Sequence, residues 1–494
     1  MEKFLHIHLL ISIIFSILIV VLGYEKSFLF LNSSYIMDAR ERFMSFDTTN
    51  LLDPPRPSYT FSIYNRALFE KSKFKDYDSL LESKLARSQA RANHFSSILE
   101  NGNSIGANGT LTRPHGTHES KRYRGNFPKT TRVHLVEGEY VATFTIGSEE
   151  TKSYLLIDTG SDLVWWQCKP CRPNKCYSQN NPMYDSTKSR TYRQLDCIVE
   201  TSSCHVESGG YQCSVFGNEC LYDYKYVEGS MTKGWIAEDV ITFYLDLSRV
   251  RILFGCGIDQ TSGSHFNGEY SGIAGIGRRV LKGGYSLPSQ LEADIMAMCL
   301  PGTYSTTAST ISFHRSPFNK TTSAALLPNS GFPNFYFVNL YKIFINDKEI
   351  PFFPSLSRSF GNYDMSGGCI VDTGTVMSRF PTDVHTVFRD TFRNEVRGIP
   401  MMEVPLGAFD TCYIEQPGVV PTFPVVKMYF GHESPGNLLL LQQLRVVVHI
   451  RGLFCLAFLP WEQNIAIIGN HQLQGIGLTF DTGTDTLSFD LDAC

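Results

Sequence analysis

Apolar and polar residues alternate with a period of two along much of the chain that follows residue 132. The alternation is clearest in Glu139–Gly147, Phe335–Leu340 and Ile343–Ile350, and this period predicts β-strands with one buried face. A helical period is best developed in Thr382–Arg397. We therefore expect a mainly β body with a boundary near residues 300–335, where sequence rich in Ser, Thr and Pro intervenes.

The N-terminus has a short charged start and then an apolar run from Leu9 to Leu22. This order predicts a secretory signal peptide over residues 1–23, with an uncleaved signal anchor as the alternative. No other stretch of the 494 residues is apolar for long enough to span a bilayer. We therefore expect no membrane contact once the signal has been cleaved.

A basic segment precedes an acidic body. Residues 24–132 contain no cysteine and carry a net charge of +6, whereas residues 133–494 carry −10. This division predicts a pro-segment that docks electrostatically and loosens as carboxylates of the body protonate; an ordinary basic linker is the alternative. Within the segment, Tyr77–Arg87 favours a helix, whereas Glu100–Thr117 predicts a flexible linker. The basic cluster Lys121–Arg124 is a candidate cleavage site.

One motif occurs twice, as an apolar strand that ends in Asp-Thr-Gly and a hydroxyl residue. The copies are Leu155–Ser161 and Cys369–Thr375, and an apolar-apolar-Gly triplet follows each of them, at Ile273–Gly275 and Ile467–Gly469. This repetition predicts two pseudo-symmetric lobes that bring two carboxylates together. Two like charges at close range cannot both ionise, so such a pair is suited to acid–base chemistry.

A third Asp-Thr-Gly begins at Asp481 and has a simpler interpretation. Alternating stretches flank it, and only 13 residues follow Asp481. We therefore interpret residues 481–486 as a hairpin loop outside the site.

The chain has 13 cysteines, seven of them between Cys168 and Cys220. With an export signal, this cluster predicts a disulfide framework. A zinc site at Cys168 and Cys171 is the alternative, but no second ligand pair has suitable spacing, so we expect no metal. The odd number leaves one thiol, and Cys369 is the candidate because its strand should be buried.

From residue 135 onward, the chain resembles the pepsin-type aspartic endopeptidases, and specifically their plant nepenthesin-type branch. The motifs that carry the resemblance are Asp158–Cys168, the cysteines that follow it, Phe254–Gly257, Asp372–Thr375, Cys455–Ala457 and Ile468–Asn470. The resemblance implies a mainly β, bilobal pepsin-like fold with a cleft between an N-terminal lobe at residues 133–330 and a C-terminal lobe at 331–494. It covers residues 24–132 only in position and character.

The resemblance also implies the roles of the motif residues. Asp158 and Asp372 would be the catalytic dyad, share one proton and activate a water between them. Thr159 and Thr373 would form a hydrogen-bond network between the lobes. Gly160 and Gly374 would permit close backbone approach. The hydroxyls of Ser161 and Thr375 would bond the outer carboxylate oxygens.

A flap should cover the cleft, and the resemblance places it at Cys220–Ser230. Tyr226 would be the flap tyrosine and would accept a hydrogen bond from the indole N–H of Trp165; a packed strand face is the alternative for this tyrosine. The chain has Val227 where the family usually has glycine. Valine is costly wherever the backbone needs a positive φ, so flap motion or substrate preference could differ from the family's.

The family's disulfide scheme leaves Cys369 unpaired. The pairs it implies are Cys168–Cys171, Cys176–Cys256, Cys197–Cys220, Cys204–Cys213, Cys299–Cys494 and Cys412–Cys455.

The expected activity is hydrolysis of peptide bonds in protein or peptide substrates at acid pH, without a cofactor. We expect a monomer that binds no nucleic acid and reaches the extracellular space (the apoplast) or the vacuole. Asn319 is a candidate glycosylation site. A catalytically impaired relative, acting as an inhibitor or binding protein, is the alternative function. A carbohydrate-binding or structural β protein would not explain the duplicated motif.

Overall fold

The structure is a computed structural model that describes residues 33–47, 60–106, 140–171, 174–197, 204, 211–214, 217–225, 231–243, 247–261, 270–279, 285–329, 332–351, 368–431, 434–491 and 493–494. The predicted signal peptide and the cluster Lys121–Arg124 lie outside these residues. Among the helices of the described part, none is long and apolar enough to cross a membrane.

In its described residues, 33–47 and 60–106, the basic N-terminal segment contains three α-helices and one strand. In chain order these are α1 (Ser33–Ser45), β1 (Thr60–Asn65), α2 (Ala67–Glu70) and α3 (Tyr77–Gly106). The helix predicted from Tyr77 is confirmed. The linker predicted from Glu100 is wrong up to Gly106, because α3 continues through that residue.

The first half of the body consists mainly of strands. In chain order they are β2 (Tyr140–Ile146), β3 (Thr151–Asp158), β4 (Val164–Lys169), β5 (Tyr184–Asp185), β6 (Arg193–Gln194), β7 (Tyr211–Cys213), β8 (Cys220–Lys225), β9 (Met231–Thr242), β10 (Arg249–Thr261), β11 (Gly272–Gly275), β12 (Ile295–Cys299), β13 (Ser309–Phe313) and β14 (Thr322–Leu327). One short helix, α4 (Leu287–Gln290), follows β11. Its cap is Ser286, whose hydroxyl accepts the N–H of Ser289.

The second half is also mainly β. Its strands are β15 (Phe337–Val338), β16 (Leu340–Ile345), β17 (Lys348–Glu349), β18 (Cys369–Val371), β19 (Ser378–Pro381), β20 (Cys412–Ile414), β21 (Val426–Phe430), β22 (Leu438–Leu441), β23 (Val447–Ile450), β24 (Leu453–Leu456), β25 (Phe458–Trp461), β26 (Ala466–Ile468), β27 (Gly477–Asp481) and β28 (Thr486–Asp490). Its helices are α5 (Thr382–Glu395), α6 (Gln443–Val446) and α7 (Asn470–Leu473).

The predicted elements of the body are largely confirmed. The helix expected from Thr382 is α5, which buries Val384, Phe388 and Phe392. The hairpin expected at the third Asp-Thr-Gly is β27–β28, in which Asp481 faces Thr486. The mainly β prediction is therefore correct, and Asp481 belongs to a hairpin.

Strand β1 of the N-terminal segment lies inside the main sheet of the body. It pairs antiparallel with β13 on one side, where Phe61 faces Ile311, and with β2 on the other, where Ile63 faces Ala142. All six of its residues are buried. The N-terminal segment is therefore part of the hydrogen-bonded sheet, which a charge pattern alone could not predict.

Two motifs of identical topology position the Asp-Thr-Gly loops. Strand β3 runs parallel to β11, with Asp158 beside Gly275. Strand β18 runs parallel to β26, with Val371 beside Ile468. The triplets noted in the sequence are these parallel partners, so each half holds its carboxylate by the same arrangement.

The disulfide scheme differs from the expected one in four of its six pairs. The bonds are Cys168–Cys256, Cys171–Cys176, Cys197–Cys213, Cys204–Cys220, Cys299–Cys494 and Cys412–Cys455, and Cys369 is a buried free thiol. The last two pairs and the free Cys369 agree with expectation. The expected pairs that are wrong are Cys168–Cys171, Cys176–Cys256, Cys197–Cys220 and Cys204–Cys213.

Strand register explains the corrected pairs. Strands β4 and β10 are parallel neighbours, so the Cα atoms of Cys168 and Cys256 lie 5.4 Å apart, within bonding range. The sulfurs of Cys197, Cys204 and Cys220 lie within 4.8 Å of one another. In such a cluster, spacing along the chain cannot decide which sulfurs join.

Candidate active site

The two motif carboxylates lie at the ends of corresponding strands. Asp158 is the last residue of β3, and Asp372 directly follows β18. The N–H of Ile276 donates to the carbonyl of Asp158 at 2.9 Å, and the N–H of Asp372 donates to the carbonyl of Ile468 at 3.0 Å. Both side chains are completely buried. Neighbouring strands therefore hold the backbone of each aspartate rigidly.

The threonines of the two motifs connect the halves of the molecule. The hydroxyl oxygens of Thr159 and Thr373 lie 3.3 Å apart, and the N–H of Thr373 donates to the Thr159 hydroxyl at 3.0 Å. The Thr159 hydroxyl also lies 3.5 Å from Oδ1 of Asp372. The structure thus brings together the network that the sequence placed at these residues.

The motif glycines donate to the carboxylates through their backbone. The N–H of Gly160 lies 3.0 Å from Oδ1 of Asp158, and that of Gly374 lies 3.1 Å from Oδ1 of Asp372. Each loop therefore presents one backbone donor to its carboxylate.

The outer hydroxyls are not equivalent. Thr375 donates to Oδ2 of Asp372 at 2.5 Å. The hydroxyl of Ser161 and Oδ2 of Asp158 both lack a hydrogen-bond partner within the described part of the chain. The contact expected for Ser161 is therefore not formed. The two carboxylates differ in their surroundings although their motifs are alike.

An arginine from the N-terminal segment occupies the space between the two aspartates. Nη2 of Arg91 lies 2.6 Å from Oδ1 of Asp158 and 2.5 Å from Oδ1 of Asp372, and its Nε donates to Oδ2 of Asp372 at 2.6 Å. The Arg91 side chain is 1% exposed. One guanidinium group therefore bridges both carboxylates, which places them in a single site.

Burial and the neighbouring charges together shift the pKa values of Arg91 and Asp158. Burial opposes the charged form of Arg91, but Asp158 and Asp372 outweigh it and raise its pKa. Burial raises the pKa of Asp158 most, Arg91 opposes that rise, and the charge of Asp372 adds to it. The raised pKa of Asp158 favours its protonated form.

Helix α3 fits closely around this contact. An added Cβ at Gly374 would lie only 2.2 Å from Nη1 of Arg91, so the guanidinium rests directly on the glycine backbone. The hydroxyl of Ser88 accepts the N–H of Val376 at 3.0 Å. Ala92 packs into an apolar cluster that includes Leu327, Phe335, Phe337, Ile370, Trp461, Ile465 and Ile467.

The remaining sequence predictions concern the flap, its tryptophan and the alternative zinc ligands. Trp165 is fully buried in a second apolar cluster with Tyr222 and Tyr224. The flap residues Tyr226 and Val227 fall outside the described residues, so their predicted roles stay predictions. Cys168 and Cys171, the alternative zinc ligands, each form a disulfide with another cysteine.

The sequence did not single out Arg91. Its segment carries 17 Lys and Arg residues, and Arg87 stands one helical turn before it. The basic charge and helical pattern of the segment were the available signals. Neither distinguishes the arginine that meets the carboxylates from its neighbours.

Comparison with known proteins agrees with this geometry. The sequence profile described as xylanase inhibitor N-terminal matches residues 140–313, and the profile described as xylanase inhibitor C-terminal matches residues 335–490. Aspartic protease in guard cell 2 of Arabidopsis thaliana is 29% identical, over 91% of this chain and 90% of that protein. Aspartic proteinase nepenthesin-1 of Nepenthes gracilis is 30% identical, over 74% of this chain and 80% of that protein.

A solved structure with the same fold is that of basic 7S globulin from soybean. It has a TM-score of 0.55 and 19% identity, and the match covers 71% of this chain and 92% of that one. The expected bilobal architecture is thereby confirmed. The chain therefore belongs to the plant pepsin-like aspartic proteases, the family that includes the nepenthesins.

Proposed function

We propose that this protein is the zymogen of a secreted aspartic endopeptidase that hydrolyses peptide bonds at acid pH. The observation that carries the proposal is the position of Arg91, whose Nη2 lies within 2.6 Å of both motif carboxylates. The two carboxylates thus share one buried site, and a cation from the N-terminal segment occupies the space in which a substrate peptide would lie.

The dyad acts as an acid and a base once Arg91 has left. Asp158 and Asp372 then share one proton, because two buried carboxylates in contact cannot both ionise. The ionised member takes a proton from water, and the water oxygen attacks the carbonyl carbon of the peptide. The protonated member donates to the carbonyl oxygen, which gives a tetrahedral diol. Proton transfer to the amide nitrogen then breaks the C–N bond.

The hydrogen bonds around the dyad support this division of roles. Asp372 accepts from the Thr375 hydroxyl and from the N–H of Gly374, two donors that suit the carboxylate as hydrogen-bond acceptor. Asp158 accepts from one backbone N–H and has a raised pKa. We assign the shared proton to Asp158 when the cleft opens at acid pH.

The same proposal assigns a role to each part of the chain. Residues 1–23 are the signal peptide, 24–132 the pro-segment, and 133–330 and 331–494 the two catalytic lobes. Apolar contacts also hold the pro-segment: Phe43 of α1 and Leu80 of α3 pack in one cluster with Met377 and Val448 of the body. Six disulfides and the exposed Asn319 are compatible with the secretory pathway, and hence with an apoplastic or vacuolar destination.

The test is an activity assay on acid-activated protein between pH 3 and pH 6. Asp372→Asn should abolish cleavage of a denatured protein substrate, and a statine-type inhibitor, whose hydroxyl mimics the diol, should block the wild type. Asp481→Asn is the matched control, because its Asp-Thr-Gly belongs to the β27–β28 hairpin. Equal activity in wild type and Asp372→Asn would refute the proposal.

The alternative is a catalytically impaired protein that acts as an inhibitor or a binding protein. Its signature would be a correctly folded, processed chain that cleaves no substrate at any pH and binds no statine. Both aspartates and both motif glycines are present, which favours the enzyme.

A further inference from the structure

A second buried arginine that contacts α3, Arg379, has no carboxylate partner among the residues that the structure describes. Arg379 lies on β19, seven residues after Asp372, and is 1% exposed. Nη2 lies 3.0 Å from Oε1 of Gln89 and 3.4 Å from the carbonyl oxygen of Ser88, and Nη1 lies 3.5 Å from the carbonyl oxygen of Pro460. Its Nε has no partner in the described part of the chain.

The acceptors of this buried guanidinium within the described ranges are all neutral, which is unusual for a buried charge. The other deeply buried arginines near α3 have carboxylates: Arg91 meets the dyad, and Nε of Arg66 donates to Glu70 at 2.7 Å. Burial alone lowers the pKa of Arg379 to about 10, so the group stays charged at every pH at which the enzyme would work.

Both of the acceptors on Nη2 belong to α3. Ser88 and Gln89 stand three and two residues before Arg91, in the part of α3 that brings Arg91 to the dyad. When the pro-segment leaves, these acceptors leave with it. Arg379 then keeps only the long contact to Pro460 and faces the space vacated by α3, where the substrate binds.

From this geometry we infer that Arg379 determines specificity in the substrate cleft by binding an acidic side chain of the substrate. The inference rests on the proposed function. A carboxylate can accept two parallel N–H bonds from one guanidinium, whereas a glutamine side chain offers a single neutral acceptor. An Asp or Glu at one substrate position should therefore be preferred over Asn or Gln.

The preference for an acidic side chain should depend on pH because the carboxyl group of the substrate titrates. A peptide glutamate ionises near pH 4.3. Apart from Arg379, the strands around it, β19, β25 and β26, carry no ionisable side chain. On the helices packed there, His385 and His471 each bond a backbone carbonyl, and Arg87 lies 3.6 Å from Glu70. The preference should therefore grow as the pH rises from 3 to 5.5.

The test uses the full-length protein after acid activation and a set of matched peptides with Glu or Gln at each position around the scissile bond. At one position we expect kcat/KM to favour Glu by about tenfold at pH 5.5, the size of one charged hydrogen-bonded contact, and by much less at pH 3. Arg379→Gln should lower kcat/KM for the Glu peptide about tenfold, mainly through KM, and Arg379→Lys should restore part of it.

Arg397→Gln is the matched control, because Arg397 is exposed on the same lobe, and the Glu/Gln ratio should not change in it. A wild type that cleaves peptides without any Glu preference would overturn the inference and leave the proposed function intact, as would an unchanged ratio in Arg379→Gln. If Arg379→Gln does not fold, the pH dependence of the wild-type ratio decides. No cleavage of any peptide would instead refute the proposed function itself.

Discussion

Arg91 donates to both carboxylate oxygens of Asp372, although 281 residues separate them in the chain. The same guanidinium also contacts Asp158. Because all three side chains are buried, removing the cation leaves the two carboxylates without the counterion that Arg91 supplies in the docked state.

We therefore predict that Arg91→Ala releases the pro-segment at higher pH than the wild type. The variant should convert to the processed form, and bind an immobilised statine, near neutral pH. Arg42→Ala is the control, because it removes the same charge from an exposed ion pair with Asp38 within the segment. An Arg91→Ala variant that stays unprocessed and binds no statine at neutral pH would contradict the proposal that Arg91 blocks the dyad.

A second prediction concerns the pH at which the segment is released. His471 is buried on α7, and its Nε2 lies 3.3 Å from the carbonyl oxygen of Val447. Burial first, and then the charges of Lys84 on α3 and of Arg445, lower its pKa to about 4. His471 is thus neutral in the docked state.

The lowered pKa of His471 determines how docking of the pro-segment depends on pH. Release of α3 removes the charge of Lys84, which is one cause of the lowered pKa, so the pKa of His471 rises in the released state, and that state binds more of a proton than the docked state as the pH falls toward 4. Docking therefore weakens as the pH falls toward the pKa of His471 in the docked state. His471→Gln should move the pH midpoint of processing downward, measured by electrophoresis. The exposed His314→Asn should leave the midpoint unchanged.

A third prediction tests strand β1. Ile63 is fully buried between β2 and β13. Ile63→Ala should destabilise the zymogen by about 2–4 kcal/mol in denaturant unfolding, the usual cost of such a core cavity. The processed enzyme, which lacks this residue, should be as stable as the wild type. Ile311→Ala on β13 should destabilise both forms, and a zymogen unaffected by Ile63→Ala would contradict the position of β1.

A fourth prediction concerns the link between the two motifs. Thr159→Val keeps the side-chain shape but removes the acceptor of the Thr373 N–H, which becomes a buried donor without a partner. We expect kcat/KM to fall roughly tenfold to a hundredfold, equivalent to about 1–3 kcal/mol. Thr159→Ser retains the hydroxyl and should stay near wild type. A loss in Thr159→Ser as large as that in Thr159→Val, or full activity in Thr159→Val, would contradict the role assigned to the hydroxyl.

A fifth prediction concerns Cys369. Its thiol is completely buried, and burial raises its pKa far above the usual value. Because the thiolate is the reactive form, Ellman's reagent should detect no thiol in the native protein and one per chain in denaturant. Two or more free thiols in denaturant, without reductant, would contradict the disulfide scheme.

Local sequence patterns were sufficient for individual elements and for the motif chemistry. The period of Thr382–Arg397 predicted α5, and the alternation around Asp481 predicted the β27–β28 hairpin. These elements are determined by residues that are close in the chain. The same patterns missed the pairing of Cys168 with Cys256, which depends on the register of two parallel strands.

The sequence by itself determined that two Asp-Thr-Gly strands lie in two halves of a mainly β protein, because period and motif are local properties. Only the tertiary structure decided which of 17 basic residues of the N-terminal segment lies between the carboxylates, and that β1 completes the sheet of the body. Long-range contacts of this kind arise from packing and strand register, which join residues that are hundreds of positions apart. No short window of sequence contains that information.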